Sequence, residues 1–430
     1  MTSTIFHGYN KKIQGKIKVP GDKSISHRAV LLGSIAEGKT KIDGFLMGDD
    51  CLHTMQIMRQ LGVRIEKDGE SLIIEGNGID GLSEPADVLD VGNSGTAMRL
   101  LIGLLSARPF YSVLVGDASI HQRPMDRVVL PLKEMGANIT GRADNRLAPI
   151  TVNGRKLHGI EYDSPVSSAQ VKSAILLAGL QTEGTTIVRE PELSRDHTER
   201  MIRAFGGSVT TEGMVHTIVG PQKLTGTHIK VPGDISSAAF FIAAALITPG
   251  SHLIIENVGV NPTRTGILDI LQAMGADVAL ENERLVNDEP VSDIVVRHSS
   301  LKGAEIGGEV IPRLIDEIPI LALIATQAEG QTVIRDASEL KVKETNRIVT
   351  VVSQLRKMGA DIEETDDGMI INGQPGKPLK GGNVNSFGDH RIGMMLAIAS
   401  QAAKEPVKVD HAESIAVSFP GFETLLESVR

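Results

Sequence analysis

The sequence predicts a mixed α/β protein of two domains, each assembled from three copies of one helix–strand–helix–strand–strand unit. Three observations carry that reading. A helix tail, a glycine and a β-rich run recur as LGVRIEKD at 61, MGANITGR at 135, FGGSVTTE at 205, MGADVALE at 274 and MGADIEET at 358. Their glycines, Gly62, Gly136, Gly206, Gly275 and Gly359, stand 74, 70, 69 and 84 residues apart, and glycine after a helix is the expected C-cap. Upstream of these runs lie apolar helix patterns that close in a small-residue turn and a strand, as in IAEGKTKIDGF, LQTEGTTIVRE, ITPGSHLIIEN and TQAEGQTVIRD. Finally, the last copy, from GDHRIGMMLAIASQ to FETLLESVR, lacks closing strands, while the first twenty residues are strand-like (TIFHGY, GKIKV) and have no helix.

The N-terminal strands are therefore expected to complete the last copy. Residues 20–232 form one domain of three repeats, and residues 1–19 with 233–430 form the other. The nearly duplicated VPGDKS at 19 and VPGDIS at 231 mark the two crossings, and a cleft between the halves is expected. In VPGDKSISHR a Pro-Gly turn ends a strand, Ser24 and Ser26 sit where an N-cap belongs, and the apolar run AVLLGSIA follows. Free amides and the helix dipole at such a start favour an anion, and Lys23 and Arg28 add two full charges. The other repeat starts, GNSGTAMR, SSAQVKSA, GDISSAAF, IDEIPILA and GDHRIGMM, are likewise rich in Gly, Ser and Asp. Packed three to a half around a pseudo-threefold axis, these helix starts would share one direction.

Composition narrows the function. With 430 residues, 41% hydrophobic and 23% charged, the chain can bury large cores. A net charge of -9 with no Trp and 3% aromatics argues against a nucleic-acid coat. The longest apolar run, AAFFIAAALI at 238–247, is too short for a bilayer, and the N-terminus carries no apolar leader. A cytoplasmic monomer is expected. Cys51 is the one cysteine, so no internal disulfide forms; it reads as a small half-buried residue.

In these motifs the chain resembles the 3-phosphoshikimate 1-carboxyvinyltransferase (EPSP synthase) family over essentially its whole length. The residues that carry the resemblance are VPGDKSISHR at 19, GNSGTAMR at 92, QRPMDR at 122, SAQVK at 168, RDHTE at 195, NPTR at 261, KVKETNR at 341 and GDHR at 388, in the family's order and in its class II form. The resemblance implies a pair of inside-out α/β barrels, each of three βαβαββ units. It implies transfer of the enolpyruvyl group of phosphoenolpyruvate to the 5-hydroxyl of shikimate 3-phosphate by addition and elimination, with no metal or organic cofactor. It also implies inhibition by glyphosate, which competes with phosphoenolpyruvate.

Residue by residue, the resemblance makes Lys23 a contact to both substrates and a catalytic residue, and Ser24 and Arg28 ligands of shikimate 3-phosphate. Ser168, Ala169 and Gln170 fall where the family meets the shikimate phosphate and ring, and Arg195 is a further phosphate contact. Asn93 and Gly95 match the phosphoenolpyruvate pocket, with Arg123, Arg347, His390 and Arg391 as its other ligands. Asp316 resembles the carboxylate on the reacting hydroxyl, Lys343 a substrate contact, and Glu344 the proton shuttle to the methylene carbon. Taken alone, Asp316 could be an N-cap, KVKETNR a solvated helix start, and Arg195 a partner of Asp196 or Glu199. His197 reads as a structural histidine. One departure stands out: the lysine that class I members carry before the C-terminal aromatic-proline motif is replaced here by Val417.

Two rivals are weaker. The sister enzyme that uses UDP-N-acetylglucosamine has a loop cysteine as acid, and alignment through RPMD puts Ala118 there. A non-catalytic anion-binding scaffold would explain the basic helix starts but leave Asp316 and Glu344 without purpose, since bare carboxylates weaken an anion site.

Overall fold

A computed structural model describes residues 2–430. Its described residues form six small sheets and two compact units. One unit comprises Gly21–Val231 with Leu285–Glu289. The other comprises Met1–Pro20, Pro232–Arg284 and Pro290–Arg430.

In the first unit each four-stranded sheet joins one parallel strand to three antiparallel ones. Glu37–Asp43 pairs antiparallel with Ser71–Asn77, which pairs with Arg64–Asp68. Tyr111–Val115, Leu147–Asn153 and Asn138–Gly141 repeat the pattern, as do Gly184–Arg189, Val215–Gly220 and Thr210–Glu212. The strands alternate buried and exposed positions, as antiparallel sheets with one solvated face do. The helices that precede them, Lys23–Ile35, Gly95–Ser106 and Ala169–Gly179, are buried nearly all round. A helix apolar on every side belongs inside, so helices fill the core and sheets wrap it. Gly103 shows how tightly: a Cβ there would lie 2.3 Å from the carbonyl oxygen of Ala174 on the neighbouring helix.

The second unit repeats this plan with Ile235–Ile247, Ile318–Thr326 and His390–Ala399 as its inner helices. Phe240 and Phe241 meet Phe419 and Phe422 in an aromatic cluster with centroids 5.2–6.4 Å apart. The five glycines that close the repeats all have positive φ, between 82° and 94°, the left-handed region that a C-cap requires.

The N-terminal strands divide their allegiance. Ser3–Phe6 pairs antiparallel with Val407–Asp410, in the last repeat's sheet. Gln14–Lys18, expected in that same sheet, instead runs parallel to His252–Gly259 in the fourth repeat. Its counterpart His228–Lys230, just before the second VPGD, pairs with Glu37–Asp43 of the first repeat. Each entering strand thus lies in the unit opposite to the helix that follows it, because the Pro-Gly turn redirects the chain between strand and helix. The hairpin tip Leu285–Glu289, which the sequence places with the second half, belongs to the first unit. There Asn287 bonds the His228 carbonyl and the Lys230 amide, and Asp288 pairs with Arg203.

Candidate functional site

The repeat starts carry two groups of charged residues, one in each unit. In the first unit the N-cap of Lys23–Ile35 is Asp22, whose carboxylate accepts the amide of Ile25 at 2.8 Å. The serines expected to cap do not: Ser26 Oγ accepts the amide of Leu46 instead. An aspartate at the last non-helical position reaches the first free amides directly, whereas Ser24 and Ser26 already lie inside the helix. The same Gly-Asp cap recurs at Asp234 and Asp389.

Three helix starts are stitched into a ring. His27 binds Thr54 Oγ1 through Nδ1 at 2.7 Å and stands 3.4 Å from Ser94 Oγ through Nε2. Ser94 caps Gly95–Ser106 and Ser168 caps Ala169–Gly179. Gln170 takes Arg99 on its carbonyl oxygen and donates to Thr96 Oγ1 at 2.9 Å, so both ends of that amide are used. Arg28 closes the ring, donating from Nε to Thr198 Oγ1 at 2.6 Å, from Nη2 to Ser173 Oγ at 2.8 Å and from Nη1 to the Ser24 carbonyl at 3.0 Å.

Burial holds Arg28 down to about 10 and the charge of Arg195 adds to the effect, with Glu199 and Asp22 opposing. Burial likewise takes His27 down to about 3, so it stays neutral. Lys23 Nζ pairs with Asp50 at 3.1 Å, and Arg123 Nη1 donates to the Asn93 carbonyl at 3.2 Å. Gly95 faces that guanidinium: a Cβ would stand 2.9 Å from Arg123 Nη1 and 3.2 Å from Arg99 Nη1. Ala169 opens its helix half-buried, and Arg195 is half-buried next to Asp196, whose carboxylate binds Arg200 Nε at 2.8 Å. The other partner suggested for Arg195, Glu199, lies 2.8 Å from Lys172 Nζ. His197 is a buried histidine with Nδ1 2.7 Å from Glu289 Oε1, while its Nε2 has no hydrogen-bond partner among the described residues.

The second unit gathers carboxylates around arginine. Arg347, 1% exposed, donates from Nε to Asp389 Oδ2 at 2.8 Å, from Nη1 to Asp316 Oδ1 at 3.3 Å and from Nη2 to Glu344 Oε2 at 2.6 Å. Although burial opposes it, Asp389 and Glu344 raise the Arg347 pKa well above its ordinary value. Asp316 also has Lys343 Nζ at 3.4 Å and Arg391 Nη2 at 4.0 Å. It is therefore not a helix cap. Glu317 occupies the N-cap position, without a capping bond. Burial pulls Lys343 downward, with Asp316 opposing. His390 is buried at the first turn of its helix, and Arg391 Nη1 donates to the Asp316 carbonyl at 3.1 Å. KVKETNR is no solvated helix start: Lys341 is exposed, but Lys343 pairs with Asp316, and Arg347 with Glu344 and Asp389.

Several members of these groups escaped the sequence reading. Asp22, Asp234 and Asp389 could have been found from the recurring Gly-Asp before a helix. Arg264 of NPTR donates to Asp234 Oδ1 at 3.1 Å and Ser236 Oγ at 2.7 Å, Ser236 bonds Glu317, and Arg391 reaches Glu317 at 3.5 Å. Partners so distant in sequence leave no local signal. Val417 stands half-exposed at the end of the turn Ala412–Val417. Cys51, expected half-buried, is fully enclosed, and its Sγ lies 3.8 Å from the Lys23 carbonyl oxygen.

Buried helix starts that present guanidinium, ammonium and carboxylate groups inside sheet-wrapped repeats define an anion-handling α/β enzyme of repeat architecture. The family model for EPSP synthase (3-phosphoshikimate 1-carboxyvinyltransferase) matches residues 9–426. Curated relatives of that name include one from Brevibacillus brevis, 58% identical over 97% of this chain and 98% of its own length. Another, from Geobacillus thermodenitrificans, is 60% identical over 97% of this chain and 96% of its own. A solved EPSP synthase from Acinetobacter baumannii superposes with a TM-score of 0.90 at 48% identity, covering 100% of this chain and 98% of that one. The chain belongs to the EPSP synthase family.

Proposed function

We propose that this chain transfers the enolpyruvyl group of phosphoenolpyruvate to the 5-hydroxyl of shikimate 3-phosphate and releases phosphate. The hydroxyl oxygen bonds to C2 of phosphoenolpyruvate while its methylene C3 takes a proton. Loss of a C3 proton and of phosphate from that tetrahedral adduct then restores the double bond. The chemistry calls for a proton acceptor, a proton donor and enough positive charge for two phosphates and a carboxylate.

The observation that carries this reading is the pair Asp316 and Glu344 on the one guanidinium of Arg347, with Lys343 and Arg391 beside Asp316. Carboxylates placed among anion ligands are useful when they move protons. Asp316 takes the hydroxyl proton and Glu344 exchanges the C3 proton, with Lys23 as the cation shared by both substrates. Ser24, Arg28, Ser168, Ala169, Gln170 and Arg195 bind shikimate 3-phosphate; Asn93, Gly95, Arg123, Arg347, His390 and Arg391 bind phosphoenolpyruvate. Ala118 is exposed in its loop, which leaves no thiol where the sister enzyme has one.

No helix among the described residues is long and apolar enough to cross a membrane. The reading takes the chain as a monomer in the cytoplasm; sedimentation would test the first and cell fractionation the second. The decisive assay is phosphate release from phosphoenolpyruvate. It is expected with shikimate 3-phosphate and not with UDP-N-acetylglucosamine, and release with the sugar nucleotide alone would overturn the assignment.

A further inference from the structure

Arg28 is held in an unusual way for a buried cation. Only 3% exposed, it meets the two side-chain hydroxyls of Thr198 and Ser173 and one backbone carbonyl. These three contacts use three of the five guanidinium N–H groups, one on each nitrogen, and leave one N–H on each terminal nitrogen. The acceptors fix direction without cancelling charge. The hydroxyls also touch each other, Ser173 Oγ to Thr198 Oγ1 at 2.7 Å, so Nε–H and an Nη2–H face one joined pair of oxygens.

What holds the hydroxyls is the neighbouring residue on each helix. Thr198 precedes Glu199 and Ser173 follows Lys172. Lys172 Nζ lies 2.8 Å from Glu199 Oε1 and 2.7 Å from Glu190 Oε1. His216 bridges the same carboxylates, with Nε2 3.0 Å from Glu190 and Nδ1 3.1 Å from Glu199. Ser194 bonds the other oxygen of Glu190. All four charged side chains are at most 1% exposed. With His216 cationic, as its raised pKa favours after the burial cost is met by Glu190 and Glu199, the four charges sum to zero. The cluster thus clamps the helices Ala169–Gly179 and His197–Ala204 together and leaves the charge on Arg28 available.

We propose that Thr198 and Ser173 are positioning residues for shikimate 3-phosphate, aiming the free end of Arg28 at the bound phosphate, and that the Lys172–Glu190–Glu199–His216 cluster holds them in place. This rests on the reading of Arg28 as a ligand of shikimate 3-phosphate. Loss of a hydrogen bond to a charged group weakens binding about 10- to 100-fold. The test measures shikimate 3-phosphate dissociation by calorimetry, the KM of phosphoenolpyruvate and the melting temperature for Thr198→Val, Thr198→Ser, Ser173→Ala and Arg28→Ala in the full chain. Thr198→Val and Ser173→Ala should each raise the dissociation constant about tenfold or more and move the KM of phosphoenolpyruvate less than about twofold, with Thr198→Ser near wild type. The inference fails if Arg28→Ala weakens shikimate 3-phosphate while Thr198→Val and Ser173→Ala leave it unchanged, or if Thr198→Ser loses as much as Thr198→Val. Unchanged binding in Arg28→Ala would instead remove the phosphate seat itself, and the inference with it.

Discussion

Arg28 and Arg347 are equally buried, at 3% and 1% exposure, yet their surroundings are opposite. Arg28 has two hydroxyls and a carbonyl, and its pKa falls to about 10 because burial outweighs the more distant charges of Glu199, Asp22 and Glu289. Arg347 has Asp389, Glu344 and Asp316, and its pKa rises despite burial. The first arginine is held by neutral acceptors; the second orders three carboxylates. A guanidinium in a motif therefore says little by itself, and the formal charge of its acceptors separates the proposed anion seat from the proposed proton-handling centre.

The sharpest test of that division is Glu344→Gln, which keeps the shape and a contact to Arg347 but cannot titrate. Turnover should fall about 10²–10⁴-fold with substrate affinity little changed. Kinetics and direct binding check it, and parallel loss of binding and melting temperature would assign Glu344 to structure. Next in size is Asp389→Asn, which leaves a capping oxygen but strips a carboxylate from Arg347. Removing one partner of a buried pair costs about 3–5 kcal/mol, read from the denaturant midpoint. The corresponding change at the neutral seat, Thr198→Val, should cost far less stability, and equal losses would erase the contrast.

Gly95→Ala probes the anion side. Its added methyl would first press on Arg123 Nη1, 2.9 Å away, and push that side chain off the Asn93 carbonyl. The resemblance implies that glyphosate is the longer of the two competing ligands, with no slack to shift, so most of the cost should fall on it. The geometry adds a cost for phosphoenolpyruvate, because Arg123 is its proposed ligand. Overpacking of about 1–3 kcal/mol predicts a glyphosate inhibition constant raised about tenfold and a smaller rise in the KM of phosphoenolpyruvate. Paired inhibition and KM measurements decide it, and equal rises would discard the selectivity.

The pH-dependent effects, spread over several pH units, have opposite signs at two histidines of the first unit. His27 is depressed from 6.5 to about 3, so the unfolded chain protonates first. Its contribution is full above pH 6.5 and is lost as pH falls toward 3, at about 1.4 kcal/mol per unit. His216 is raised above 6.5, so its contribution is full below pH 6.5 and is lost as pH rises through the folded value. Unfolding midpoints from pH 4 to 9 should show the acid limb flattened in His27→Gln and the alkaline limb flattened in His216→Gln. Unchanged limbs would mean that neither buried histidine carries the linkage.

The sequence by itself determined what is written in neighbouring residues. The five glycines adopt the positive φ that a helix C-cap demands, the apolar helix patterns fold into the buried inner helices, and the motifs at helix starts gather the charged groups in each unit. Such features depend on one residue's backbone preference or on a turn or two of periodicity, so they survive without knowledge of the rest of the chain. Tertiary structure alone decided which sheet an entering strand joins. Gln14–Lys18 and His228–Lys230 each pair with a repeat other than the one they precede, and a β-ladder takes its register from a partner hundreds of residues away. It also decided what each arginine does. Thr198 and Ser173 reach Arg28 across 170 and 145 residues, and Asp389 reaches Arg347 across 42. The charge state and aim of a buried cation follow from the polarity of whatever packing brings to it, and no local pattern encodes that.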